Sequence, residues 1–180
     1  MSVTCEQLDY SQRARDIRIL ALDVDGILTT GALLFDHLGN EYKSFHSRDG
    51  VGIKLLQQNS IEVVLITGRR SSIVDRRADE LAITSVYQGV TDKVEVAQTL
   101  LHARGLAWHQ LAYMGDDLPD LALLRRAGLA FTVPEAPLEI RAVAHWITSV
   151  GGGMGAVRDV ASWLLETRGD WQEILDQWGG

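Results

Sequence analysis

Two aspartates close an apolar run: in "ILALDVDGILTTG", Asp23 and Asp25 follow residues whose character suits a buried strand. A carboxylate is costly to bury unless it is paired or bound to a metal, so this pair needs a partner. Similar polar punctuation ends other apolar runs: Thr67, Gly68 and Arg69 in "TGR", Lys93 in "TDK", and Asp116, Asp117 and Asp120 in "GDDLPD". Carboxylates converging from several runs repel one another unless a hard divalent cation with oxygen ligands joins them, and Mg²⁺ is the natural choice. The Thr67 hydroxyl and the Lys93 ammonium suit the oxygens of a phosphoryl group rather than the metal. Carboxylates, cation and phosphate clamp together point to phosphoryl transfer.

These residues must be brought to one edge, and the pattern of the chain shows how. Apolar runs at 17–23, 61–67, 84–88, 111–115, 129–133 and, more weakly, 145–148 read as strands, alternating with helical patterns near 49–59, 71–82, 91–104, 118–127, 137–144 and 155–168. That alternation predicts an α/β fold with a mostly parallel sheet, and strands so continuously apolar are covered on both faces. In such sheets ligands sit beyond the carboxyl ends of the strands, where Asp23, Thr67, Lys93 and Asp116 fall. One segment breaks the rhythm: "ALLFDHLGNEYKSF" reads as two short strands round a turn, a β-hairpin or flap. "GGGMG" at 151–155 reads as a turn and helix start, and Trp171, Ile174, Leu175 and Trp178 mark a final amphipathic helix.

Composition sets the bounds. The 180 residues, 46% hydrophobic and 23% charged, suit one domain over 1–180 with a substantial core. Acidic residues outnumber basic ones 24 to 17, for a formal charge of -7, which argues against non-specific binding to nucleic acid or an anionic membrane. The single cysteine, Cys5, has no intramolecular disulfide partner, the polar N-terminus lacks the apolar core of a signal peptide, and no run is long enough to span a bilayer. The cytoplasm is the expected compartment.

"DVDGILT", "TGR", the lysine of "TDK" and "GDDLPD" resemble, in order, the four motifs of the haloacid dehalogenase superfamily. The resemblance implies that Asp23 attacks phosphorus to form an aspartyl-phosphate, that Asp25 is the proton shuttle, and that Thr67 and Lys93 complete the catalytic set. It further implies that Mg²⁺ is held by Asp23, the backbone carbonyl of Asp25, and Asp116, with Asp117 or Asp120 orienting that shell. Because the second aspartate is absent from dehalogenases and ion pumps of the superfamily, a phosphatase or phosphomutase is implied. The stretch between Asp25 and Thr67 leaves no room for a cap domain. The expected architecture is therefore a Rossmann-like doubly wound parallel sheet with helices on both faces, a small hairpin flap and no cap.

"FHSRDGVGIKLL" and "GGGMGAVRDV" narrow the likeness to the 3-deoxy-D-manno-octulosonate 8-phosphate phosphatase subfamily, with a phosphatase of another acidic nonulosonate sugar or of broader sugar phosphates as the alternative. This likeness implies a homotetramer, a role in lipopolysaccharide biosynthesis, a hairpin that closes a neighbour's site, and substrate contacts at Asp25, His46, Ser47, Arg48, Asp49, Gly50, Lys54, Arg69, Arg77 and Lys93. A helical projection supports one of these, since Arg77 falls beside the inward face marked by Val74, Ala78 and Leu81, while Arg76 points away. Arg48, Arg69 and Arg77 suit a substrate with both a carboxylate and a phosphate; a neutral sugar phosphate would leave one idle.

Plainer readings stand beside these. Asp25-Gly26 alone is ordinary turn chemistry, Lys93 alone a solvated first-turn lysine, and Arg48 with Asp49 a local ion pair with Asp49 as helix cap. The histidines are too scattered for a zinc site, and Ser47 has no base at recognisable spacing. Tryptophans suit core or interface, and the Trp171–Trp178 stripe fits its own domain or a neighbour equally. A non-catalytic binding module with this fold is the rival of another class; intact Asp23, Asp25, Lys93 and Asp116 argue against it.

Overall fold

The run that carries the first aspartate forms a strand whose four residues are all buried. The structure, a computed structural model, describes residues 5–180, with side chains from Tyr10 onward; residues 1–4 and the Cys5 side chain, on which the disulfide and signal-peptide expectations rest, lie outside the described residues. In chain order the elements are α1 (Cys5–Asp16), β1 (Ile19–Leu22), β2 (Leu34–Phe35), β3 (Glu41–Tyr42), α2 (Ser47–Gln58), β4 (Glu62–Thr67), α3 (Ser72–Glu80), β5 (Ser85–Gln88) and α4 (Lys93–Arg104). They continue with β6 (Leu111–Met114), α5 (Leu121–Leu124), β7 (Leu129–Thr132), α6 (Leu138–Arg141), β8 (Trp146–Ile147), α7 (Ala156–Arg168) and α8 (Trp171–Gly179).

The six-stranded sheet runs β5-β4-β1-β6-β7-β8, and every pairing in it is parallel. From β1 the chain passes outward to β4 and β5, then returns to lay β6 on the other side of β1. The switch point therefore lies between β1 and β6, where a crevice opens at the carboxyl edge. Register makes the consequence concrete: Leu22 pairs with Met114, and the Asp23 amide donates to the Met114 carbonyl at 3.0 Å. Asp23 and the "GDD" loop emerge side by side.

Helices cover both faces, which is why β1, β6 and β7 are buried along their whole length. α7 packs along α2 and α1, while α4 packs on α5. Phe131 is fully buried with its ring edge-on to Trp163 at 5.4 Å, and Trp163 stacks on Trp146 at 5.5 Å. Ile174 of α8 is buried and Trp171 lies under the Arg158 guanidinium at 5.5 Å, so the start of the terminal stripe packs on its own chain; Leu175 and Trp178 stay exposed.

The hairpin β2–β3 forms as its turn chemistry requires. Asp36 Oδ1 accepts from the Leu38 and Asn40 amides, both at 2.9 Å, and Asp36 and Asn40 close the turn across the backbone. Only this hairpin and α2 lie between β1 and β4, so no cap domain is inserted there. Three differences from the sequence expectation have physical causes. α1 forms although its sequence lacks apolar periodicity, held by Ala14, by Ile17 just beyond its end and by the Tyr10 hydroxyl, which donates to the His145 carbonyl at 3.2 Å. α2 starts at Ser47 because His46, not Asp49, caps it, accepting from the Arg48 amide at 3.3 Å. The helix expected over 118–127 shortens to a 3-10 turn at Leu118–Asp120 and the single turn of α5, because the Asp120 carboxylate turns back to bond the Asp116 and Asp117 amides.

Removing the Phe131 ring leaves a cavity between the sheet and two tryptophans. Phe131→Ala is expected to cost about 3–5 kcal/mol of stability, read as a lower midpoint at unchanged slope in urea unfolding.

Candidate active site

Three strand ends and one helix start deliver the polar residues. Asp23 and Asp25 follow β1, Thr67 ends β4, Lys93 opens α4, and Asp116 and Asp117 follow β6. With Gly31, Leu33, Gly68, Arg69, Thr91 and Asp120 they line one cleft of about 390 Å³. A larger hollow of about 630 Å³ beside β5, lined by Arg70, Tyr87 and Gln88, contains none of the motif residues.

Lys93 is the centre of the charge arrangement. An ammonium at the first position of a helix opposes the helix dipole, so it persists there only with carboxylates beside it. It is 5% exposed, donates to Asp120 Oδ1 at 2.6 Å, and lies 3.0 Å from Asp23 Oδ1. Burial pushes its pKa down, but the charges of Asp23 and Asp120 outweigh that and leave it raised. It is no solvated surface lysine. Asp92 caps α4 from below, accepting from the Val94 and Glu95 amides.

Asp120, not Asp117, does the orienting. It is 1% exposed and fully engaged: Oδ1 accepts from Lys93 and from the Tyr113 hydroxyl, and Oδ2 from the Asp116 amide at 3.0 Å and the Asp117 amide at 3.2 Å. Asp117 instead caps the following turn, accepting from the Leu118 amide. Asp23, Asp116 and Asp120 can bring carboxylate oxygens within 4.8 Å of one another. Because Asp120 has spent its lone pairs on protein donors, Asp23 and Asp116 are the two carboxylates left for a cation.

The donor set fits a hard cation. Burial, with the charge of Asp120 adding and Lys93 opposing, raises Asp23 from its ordinary 3.8 to about 6. Burial and the neighbouring Asp23, Asp120 and Asp117 raise Asp116 to about 7. Asp23 Oδ1 is near Lys93 but outside hydrogen-bond alignment, so this buried oxygen lacks a donor. Gly26, at φ +89°, makes room: a Cβ there would lie 2.0 Å from Asp116 Oδ2. Gly152 presses the "GGGMG" loop onto the same turn, where a Cβ would sit 1.8 Å from the Gly26 carbonyl oxygen.

The second aspartate has a different setting. Asp25 Oδ1 accepts from Lys43, and Arg69 Nε lies 3.6 Å from Oδ2. Lys43 and Glu41, two apart on the hairpin and so on one face of it, were not among the sequence candidates; their alternation with Tyr42 was the available signal. Tyr113 was also missed, although a tyrosine inside an apolar strand has a hydroxyl that needs a partner.

The remaining candidates gather elsewhere. His46 caps α2, Ser47 and Arg48 are exposed at its start and Lys54 further along it, and Asp49 is 1% exposed, accepting from the Arg158 amide at 2.9 Å and so joining α2 to α7. Arg77 lies over the Phe45 ring at 5.7 Å, bonds Glu80 at 3.2 Å, and covers Gly50, where a Cβ would lie 2.9 Å from its guanidinium. No Arg48–Asp49 ion pair forms among the described residues. This patch does not line the cleft of its own chain.

Known proteins resemble the chain throughout. The model of a family described as haloacid dehalogenase-like hydrolase matches residues 79–153. The chain is 41% identical over 157 residues to the 3-deoxy-D-manno-octulosonate 8-phosphate phosphatase KdsC of Yersinia pestis, covering 87% of this chain and 84% of that protein. It is 38% identical over 169 residues to KdsC of Escherichia coli K12, covering 94% and 90%. The crystal structure of 3-deoxy-D-manno-octulosonate 8-phosphate phosphatase from Moraxella catarrhalis, in complex with magnesium ion, phosphate ion and KDO, superposes with a TM-score of 0.92 at 39% identity, covering 94% of this chain and 98% of that one.

The raised carboxylates make stability pH-dependent in a defined sense. Between about pH 4 and pH 7 the unfolded chain has released protons that folded Asp23 and Asp116 still hold, so the metal-free protein loses stability as pH rises through this window. Mg²⁺ needs the deprotonated carboxylates, so its stabilisation grows over the same window. Thermal melts of chelator-treated protein at pH 5 and pH 7.5 should show a larger gain in Tm with Mg²⁺ at the higher pH, and Asp116→Asn should reduce that difference.

Proposed function

Because the chain belongs to the 3-deoxy-D-manno-octulosonate 8-phosphate phosphatase family of haloacid dehalogenase-like hydrolases, we infer that its cleft performs that hydrolysis with Asp23 as nucleophile and Asp25 as proton shuttle. The chain is a Mg²⁺-dependent phosphoric monoester hydrolase that releases phosphate and the free sugar acid from 3-deoxy-D-manno-octulosonate 8-phosphate, a step of lipopolysaccharide biosynthesis. One observation carries the catalytic assignment: Asp23, Asp25, Thr67, Lys93 and Asp116 share one cleft at the switch point of the sheet.

The chemistry follows from the environments of the side chains. Asp23 attacks phosphorus and becomes an aspartyl-phosphate, dividing hydrolysis into two displacements. Thr67 and Lys93 hold phosphoryl oxygens, and Lys93 keeps Asp23 aimed while Asp120 anchors Lys93. Asp25 gives a proton to the departing alkoxide and then takes one from the water that attacks the aspartyl-phosphate. Asp23, the backbone carbonyl of Asp25, and Asp116 would hold the Mg²⁺, which when bound would supply the positive charge that lets an anionic nucleophile approach a phosphate dianion.

The sugar acid is recognised by Arg69 at the cleft and by the patch of His46, Ser47, Arg48, Gly50, Lys54 and Arg77, with buried Asp49 holding that patch against α7. A patch off its own chain's cleft acts on substrate when a second subunit brings it near. The chain works as a single domain in a homotetramer whose hairpins close neighbouring sites. Supporting this, Leu33, Leu34, Phe35, Leu38 and Tyr42 are each at least 50% exposed, an apolar concentration that marks an interaction surface. The cytoplasm is the proposed compartment, which suits a chain with one cysteine.

Asp23→Asn should leave the fold intact and lower turnover by about 10³-fold or more. A panel of sugar phosphates, assayed with and without Mg²⁺, should show preference for the acidic sugar; equal turnover of neutral sugar phosphates would remove that substrate assignment. Phe35→Asp should shift the protein from tetramer to smaller species in sedimentation velocity, and an unchanged tetramer would remove the hairpin from the interface.

A further inference from the structure

The two oxygens of Asp25 are held differently. Oδ1 accepts from Lys43, while Oδ2 lies on the side of Arg69, whose Nε is 3.6 Å away. Asp25 and Arg69 line the cleft and Lys43 does not; the Lys43 side chain is only 2% exposed, behind the carboxylate. Burying an ammonium is costly unless it is paired, and its partners here are Asp25 and Glu41, whose Oε1 is 3.4 Å away. Glu41 also accepts from the Arg69 guanidinium at 3.2 Å and the Ser71 hydroxyl at 2.7 Å. The base of the hairpin is thus tied to the loop after β4, with Asp25 between the two.

We propose that Lys43 is a positioning residue for proton transfer: it pins Oδ1 of Asp25 so that Oδ2 faces the oxygen that leaves phosphorus, and Glu41 aligns Lys43 with Arg69. The assignment rests on the phosphatase reading. In the first displacement the bond from Asp23 oxygen to phosphorus forms, the bond from phosphorus to the alkoxide oxygen breaks, and the proton on Oδ2 passes to that oxygen. In the second, water oxygen bonds to phosphorus, its proton passes to Oδ2, and the Asp23 carboxylate is released. Lys43 touches neither phosphorus nor leaving group in either step. Its work is geometric, and a misplacement of about 1 Å at a reacting group can cost about 10²-fold in rate.

The division of labour also separates this role from its competitors. A lysine that bound phosphate would line the cleft, and one that only stabilised the hairpin would not distinguish leaving groups. A hairpin whose base is bound to its own chain's Asp25 still leaves its apolar tip, with Leu34, Phe35 and Leu38, free for a neighbour.

Lys43→Met, Lys43→Arg and Glu41→Gln, compared with the unaltered enzyme on the acidic sugar phosphate and on p-nitrophenyl phosphate, test the assignment. On the sugar phosphate, Lys43→Met should lose about 10²-fold in kcat. On the aryl phosphate, nitrophenolate leaves without protonation, so the first turnover should stay within about threefold of the unaltered rate while the second displacement is slow. A burst of nitrophenolate equal to the number of sites is therefore expected, absent on the sugar phosphate. Lys43→Arg should recover most of kcat, and Glu41→Gln, which keeps the ammonium, should show a smaller burst of the same kind. Equal slowing of both first turnovers, a raised KM at unchanged kcat, or unaltered rates would overturn the proposal while the phosphatase reading stands. An unaltered enzyme inert towards both substrates would overturn both.

Discussion

A buried ammonium between two carboxylates holds the centre of this protein together. Lys93 sits where the helix dipole disfavours a cation and where it is only 5% exposed, so its charge depends on Asp23 and Asp120. The dependence is mutual. Asp120 is buried without solvent to share its charge, and it is satisfied only by Lys93, Tyr113 and two backbone amides. Through Asp120 the start of α4, the strand β6 and the loop that carries Asp116 become one unit, and through Asp23 that unit reaches β1.

Around this centre the backbone comes unusually close to itself. The turn after β1 and the loop before α7 touch at Gly26 and Gly152, where no side chain fits. The Gly153 amide donates to the Ile27 carbonyl at 2.9 Å, fixing that contact. The loop that presents Asp25 is therefore supported from both ends, by the hairpin through Lys43 and by the sheet through the Asp23 amide. Two aspartates separated by one residue end in unlike surroundings. Asp23 faces Lys93 and Asp116, while Asp25 faces Lys43 and Arg69. The roles proposed for them, nucleophile and proton shuttle, draw on that difference in environment.

Much of this was legible in the chain. The alternation of apolar runs and helical patterns specified the parallel sheet, because strands covered on both faces must be apolar throughout and the connections between parallel strands must be long enough to cross the sheet. Asp23, Thr67, Lys93 and Asp116 could be placed at one edge because each ends or follows a strand, a local property. α1 was invisible because its packing comes from contacts with α7 and from the Tyr10 bond to His145 just before β8 rather than from a periodic face. Asp120 and Asp117 could not be told apart by spacing, since both lie within one turn of Asp116 and only the folded loop decides which carboxylate turns inward.

By itself the sequence determined the fold class, the order of the motifs and the residue types of the site, since hydrophobic periodicity and turn chemistry act between near neighbours. The tertiary structure decided which charges meet. Lys43 and Asp25, and Lys93 with Asp23 and Asp120, are far apart in sequence, and nothing local couples them. They are joined because a buried charge must find its counter-charge, and only the closed fold sets which one is within reach.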